Sequence, residues 1–156
     1  RIIALGDSFD SVYSINSLSN QILKKLTELA TNHEFIWITG NHDANLSTET
    51  VDNIQDNFVE KGLIFRHIAE DPVPPGYFEI SGHFHPKATN RARGRRITRP
   101  CFIRDHKRLI MPAFGAYTGG LDIDDQAIQN LLGDEQNITI CGRSCTHHQT
   151  RIRETS

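Results

Sequence analysis

Ile36-Trp37-Ile38 is an apolar run that breaks at Thr39-Gly40 and then delivers Asn41, His42 and Asp43 in direct succession. β-Branched and aromatic residues bounded by a glycine read as a short buried strand over residues 34–38, and Gly40 supplies the freedom for a sharp turn. A carboxamide, an imidazole and a carboxylate therefore leave the carboxyl end of a strand. In open α/β sheets that rim is where ligands bind. Gly-Asn and His-Asp are also ordinary turn pairs, so the meaning of this stretch depends on its companions.

The pattern recurs. Residues 2–5 form an apolar run ending in Gly6-Asp7-Ser8-Phe9-Asp10, residues 63–66 lead into His67, and residues 77–81 lead into Gly82-His83-Phe84-His85-Pro86. On an extended segment His83 and His85 would share one side, with Phe84 turned to the core. Between these runs, Ile15, Leu18, Ile22, Leu26 and Leu29 recur at helical spacing, which predicts a helix over residues 14–32 packed through that stripe. Val51, Ile54 and Phe58 suggest a second helix, capped by Ser47 or Thr48 and stopped at Gly62. Residues 88–105 read as a polar hairpin, 109–111 and 137–140 as strands, and 123–132 as a short helix. The glycine-rich stretch 113–120 lacks the spacing and lysine of a phosphate-cradling loop and reads as a structural turn. Strands alternating with helices place the chain in the α/β class. We expect one domain over residues 1–143 and a disordered tail over residues 144–156.

The formal charge of the 156 residues is only −2, but residues 87–108 hold nine Lys or Arg against one acid, Asp105. No apolar run reaches the length of a membrane span, and no basic-then-apolar leader opens the sequence. The expectation is a soluble, cytoplasmic protein without membrane contact. Cys101, Cys141 and Cys145 are an odd number in a chain large enough to fold without staples, as expected of free thiols. Cys141, Cys145, His147 and His148 could be drawn as a zinc knot, but their spacing matches no common zinc module.

Asp7, Asn41, His42, Asp43, His67, His83 and His85 thus cluster at four strand ends. Imidazole, carboxylate and carboxamide ligands without thiolate suit Mn²⁺, Fe²⁺ or Zn²⁺ better than Ca²⁺. Two such ions about 3.5–4 Å apart can clamp a phosphate and stabilise both oxygens of an in-line displacement.

In that order, Gly6-Asp7-x-x-Asp10, Gly40-Asn41-His42-Asp43 and Gly82-His83-x-His85 resemble the successive motifs of the calcineurin-like metallophosphoesterase superfamily. Arg99-Pro100-Cys101-Phe102 and the stretch Met111-Pro112-Ala113-Phe114-Gly115-Ala116-Tyr117-Thr118-Gly119-Gly120 are similar to its ligase-associated DNA-damage-response branch of phosphoesterases and endonucleases. The resemblance covers residues 1–143. It implies a sandwich of two mixed β-sheets flanked by helices and a two-metal hydroxide mechanism. The metals would be Mn²⁺ foremost, with Fe²⁺ or Zn²⁺ as alternatives. Asp7 would bridge the two, Asn41, His67 and His83 would hold the second, and His85 would belong to the first. His42 would protonate the leaving oxygen, with Asp43 orienting it. The family also carries an Asp-x-His strand ahead of Gly6-Asp7, and nothing precedes Arg1 in this sequence. We therefore expect an N-terminally truncated domain with its first strand missing and its first metal site weakened.

Arg91, Arg93, Arg95, Arg96 and Arg99 follow the histidine pair closely and could meet backbone phosphates, or form a solvated hairpin. The favoured expectation is a nuclease-type phosphodiesterase associated with DNA repair, with nucleic acid as substrate and repair proteins as candidate partners. Two alternatives stay open: a noncatalytic metal- or nucleic-acid-binding module, and a phosphatase of small molecules.

Overall fold

The computed structural model describes residues 1–9, 17–42, 53–92, 94–115, 118–142 and 146–153. Asp10, Asp43, Arg93 and Cys145, named above, lie outside the described residues, as does the stretch expected to begin a second helix. The chain divides into two compact units, Arg1–His67 and Ile68–Ser156. Each has its own apolar cluster.

In the first unit, β1 (Ile2–Leu5), β2 (Phe35–Ile38) and β3 (Ile54–Gln55) form a parallel sheet in that order. α1 (Asn20–Asn32) connects β1 to β2 in sequence, and parallel neighbours require such a crossover. Trp37 is the buried centre of the unit's apolar cluster, with Phe35 stacked on it at 4.7 Å and Phe9 at 5.9 Å between ring centroids. Leu23 and Leu26 of α1 pack against that cluster, whereas Ile22 and Leu29 are exposed. The inward side of the helix keeps Leu26 of the stripe the sequence suggests but is turned from its centre by about 70°, less than one residue's rotation.

The second expected helix is not formed where the structure describes it. Ile54 belongs to β3, and Phe58 to β4 (Asn57–Glu60), which pairs antiparallel with β5 (Leu63–Arg66). Lys61 (φ 50°) and Gly62 (φ 79°) make the two-residue connection, and positive φ at both central positions is what a tight hairpin turn demands. Gly62 is therefore a hairpin residue and not a helix stop. Phe58 and Phe65 face each other across this pair, 6.1 Å between centroids. Arg1 sits 5.6 Å over the Phe58 ring and pairs with Glu34 and Glu60.

In the second unit a mixed sheet runs in the order β11 (Thr146–Ile152), β10 (Glu135–Cys141), β8 (Arg95–Arg104), β9 (Arg108–Ile110), β6 (Phe78–Ser81). β6 and β9 are parallel, and the other pairs are antiparallel. β7 (Lys87–Ala92) pairs with the first half of β8, which forms the expected hairpin. α2 (Gln126–Gln129) is capped by the Asp125 side chain, which accepts from the Ala127 N–H. Cys101, Ile103, Ile110, Ile123, Ile128 and Ile138 form the core of this unit. Arg108 is buried against Glu79 and reaches Asp71 at 2.8 Å, while its N–H donates to Asp105.

Within the stretch expected to be a disordered tail, Thr146–Ile152 instead forms a strand. β11 adds a full ladder to β10, and Arg151 bonds Gln136 and pairs with Asp124. Most of its side chains are exposed, which is why the segment carries no apolar alternation to announce it. Cys101 and Cys141 are free thiols. Burial pushes the Cys101 thiol up to about 12, so at neutral pH it is a neutral thiol and not a nucleophilic thiolate. Among the described residues, no helix is long and apolar enough to cross a membrane.

Candidate metal centre

β1 and β2 are parallel and in register, Leu5 opposite Ile38, so the turns that follow them emerge at the same rim. Gly6 (φ 83°) and Asp7 (φ 48°) both take the left-handed conformation. For an aspartate this costs free energy, and such residues concentrate at functional sites. The bend aims the Asp7 carboxylate at the neighbouring turn, where its Oδ1 accepts the His42 N–H at 2.9 Å. Its Oδ2 lies 3.1 Å from Nε2 of His67.

His67 is almost fully buried, at 5% exposure. Its Nδ1 is 2.7 Å from the Leu5 carbonyl and its Nε2 is 3.0 Å from Oδ1 of Asn41. A carbonyl oxygen can only accept, so Nδ1 carries the proton and donates. In the neutral ring Nε2 then presents a lone pair to two more oxygens, from Asn41 and Asp7. Three electron-rich atoms converging in one place repel one another unless a positive centre, a proton on Nε2 or a metal ion, lies among them. The backbone hydrogen bond at Nδ1 is also the arrangement that fixes the tautomer of a metal-ligating histidine. The donor set therefore fits a divalent transition metal, and Asp7, Asn41 and His67 are the residues of this unit that would hold it.

Two glycines make the convergence sterically possible. A Cβ on Gly6 would lie 2.6 Å from Cγ of His67 and closer still to its Nδ1, and one on Gly40 would lie 2.8 Å from Cγ of Asp7 and closer still to its Oδ1 and backbone nitrogen. Nothing in the spacing of the sequence announces these close approaches. The Leu5 carbonyl that orients His67, 62 residues away, is equally invisible to it.

In the second unit, His83 (φ 61°) and His85 (φ 46°) are both left-handed, which corrects the extended segment expected for them. The Phe84 N–H donates to the Gly82 carbonyl at 2.8 Å, closing a three-residue turn centred on His83 that is rare and strained. Phe84 packs against the core cluster and meets the His83 ring edge-on at 5.0 Å. The glycine-rich stretch holds this turn from behind: Leu121 N–H donates to the Phe84 carbonyl at 3.0 Å, and Lys87 N–H to the Leu121 carbonyl at 2.8 Å. Gly120 is pressed so close to the His85 carbonyl that no side chain would fit. His85 also lines a cleft of about 380 Å³ with Lys87, Thr98, Arg99, Pro100 and Thr118.

The structure thus brings together Asp7, Asn41, His67 and the His42 backbone in the first unit. His83 and His85 share one strained turn in the second. Arg91, Arg95, Arg96 and Arg99 lie on the β7–β8 hairpin and are exposed.

No protein-family model matches the sequence, and no curated protein matches it. Among solved structures, the chain is similar to the nuclease MPE of Pseudomonas putida, with a TM-score of 0.69 and 25% sequence identity. The match covers 90% of this chain and 66% of that one, so the chain spans just under two thirds of the neighbour's length. The chain has a nuclease- and phosphoesterase-like α/β fold, as the sequence motifs imply.

Proposed function

We propose that the protein is a metal-dependent phosphoesterase that hydrolyses phosphodiester bonds of nucleic acid, in the manner of a repair-associated nuclease. The observation that carries this reading is the oxygen–imidazole convergence of Asp7, Asn41 and His67, with Nδ1 of His67 committed to a backbone carbonyl. The similarity to a nuclease supports the choice of nucleic acid as the substrate class.

In this reading Asp7, Asn41 and His67, with His83 and His85 as the family resemblance implies, hold two divalent cations, Mn²⁺ foremost. When bound, such cations polarise the phosphoryl oxygens, lower the pKa of attacking water and neutralise the developing charge. The chain's own residues do the rest. The Leu5 carbonyl keeps the proton on Nδ1 of His67, and Gly6 and Gly40 leave room for the ligand side chains to meet. Asp7 holds the turn that carries His42 through the backbone N–H, which leaves the exposed His42 imidazole available to the substrate. Imidazole titrates near neutral pH and so can protonate a leaving alkoxide. Asp43 is assigned the role of orienting it.

His42→Ala tests the assignment cleanly, because the hydrogen bond to Asp7 comes from the backbone and survives the substitution. Bound metal should stay at the wild-type level. Turnover of a diester with an alkyl leaving group should fall by about 10²–10⁴-fold, with a smaller loss for an activated aryl ester. Equal losses on both substrates would remove His42 from the role of proton donor.

A further inference from the structure

We propose that one face of the β7–β8 hairpin, the face bearing Lys87, Arg91 and Arg96, carries the backbone phosphates of a polynucleotide beyond the bond being cleaved. This rests on the nucleic-acid reading above and narrows it. The arginines of residues 91–99 are interchangeable in the sequence, but the register separates them. Arg91 stands opposite Arg96, Thr89 opposite Thr98 and Lys87 opposite Pro100. Side chains alternate along a strand, so these three pairs share one face. Arg95, opposite Ala92, belongs to the other face with Asn90 and Ile97.

Three observations favour the first face. Its inner end opens into the cleft that His85 lines, where Lys87, Thr98 and Pro100 are walls and Arg99 is the one residue of the opposite face beside them. Further out, the Thr89 and Thr98 hydroxyls are 2.8 Å apart, a polar rung between the lysine and the arginine pair. At the outer end Arg91 and Arg96 are directly opposed in register, and like charges at opposed positions destabilise a sheet unless an anion offsets them. No carboxylate lies within 4.0 Å of Arg91 or Arg96 among the described residues. Arg99, by contrast, turns one N–H back to the Thr98 carbonyl at 3.1 Å.

The cationic line from Lys87 to Arg91 extends over four residues, about 14 Å at strand rise. That is longer than a single phosphodiester group. A small phosphodiester seated in the cleft beside His85 would leave its outer end unused, whereas a chain of nucleotides would follow it. The prediction is therefore a length advantage that belongs to Arg91 and Arg96 and not to Arg95.

The test compares the wild type with Arg91→Gln, Arg95→Gln and Arg96→Gln. Affinity is measured across a range of salt concentrations for a single-stranded oligonucleotide of about a dozen residues, within the span such surfaces cover, and for a dinucleotide. Arg91→Gln and Arg96→Gln should each flatten the slope of log K against log salt for the oligonucleotide by about 0.7. Arg95→Gln, adjacent in sequence but on the opposite face, should keep the wild-type slope. Equal flattening by Arg95→Gln and Arg96→Gln overturns the proposal, and so does an unchanged slope in Arg96→Gln. If the wild type binds the oligonucleotide no better than the dinucleotide yet still hydrolyses small phosphodiesters, the inference falls and the proposed function stands. If the slopes divide by face but the manganese-loaded protein hydrolyses no phosphodiester, the inference stands and the catalytic reading falls.

Discussion

Asp7→Asn is expected to strip the protein of tightly bound transition metal and to lower phosphodiester hydrolysis by more than about 100-fold, the upper end of what losing only an outer partner of a ligand costs. The substitution isolates charge from shape. Asparagine tolerates the left-handed backbone that Asp7 adopts (φ 48°). Its side-chain oxygen can still accept the His42 N–H that now bonds Oδ1 at 2.9 Å. What disappears is the negative charge facing Nε2 of His67 at 3.1 Å, which a cation at that point requires. The variant should unfold at nearly the wild-type temperature. Metal analysis and a generic phosphodiester assay on the same preparation check both halves, and full metal content with full turnover would remove Asp7 from the centre.

Gly40→Ala should be as damaging, for a different reason. Gly40 is buried at the end of β2, with the Asp7 backbone and carboxylate packed where its Cβ would go. Both neighbours belong to a strained turn, so neither is the free end of a flexible side chain. Overpacking of this kind costs about 1–3 kcal/mol of stability. The larger consequence is displacement of the Asp7 carboxylate, and a misplacement of about 1 Å at reacting groups can lower turnover roughly 10²-fold. Metal affinity should fall with it. Thermal unfolding beside metal titration separates the two effects: a variant that is less stable but binds metal and turns over normally would mean that Asp7 moves aside without loss.

Much of this centre was legible in the sequence because each ligand type follows an apolar strand. The ends of β1, β2 and β5 place Asp7, Asn41 and His67 where the alternation of strand and loaded turn says they should be. The exceptions have physical causes. Ile54 and Phe58 are four residues apart and mimic a helical face, but the positive-φ pair Lys61 and Gly62 closes a hairpin there. β11 is polar on both faces, so its pairing with β10 rests on backbone hydrogen bonds and on Arg151, neither of which leaves a hydrophobic period. The tautomer of His67 depends on a carbonyl 62 residues away. His83 and His85 share one turn through left-handed backbones, where an alternating strand would have served equally well on paper.

The division of the arginines follows the same logic. Composition makes residues 87–108 a basic run, and only the pairing of Arg91 with Arg96, one residue from Arg95, gives the run two distinguishable faces.

The central claim is that Asp7, Asn41 and His67 converge on a catalytic cation, and metal removal and restoration address it most directly. The full chain is stripped with a chelator and titrated with Mn²⁺, and bound metal and hydrolysis of a generic phosphodiester are followed on the same samples. Hydrolysis should be absent after stripping, rise in proportion to bound Mn²⁺, and saturate with it, while Asp7→Asn shows neither binding nor turnover over the same range. Hydrolysis that persists in the stripped protein, or equal Mn²⁺ binding by the wild type and Asp7→Asn, would contradict the account.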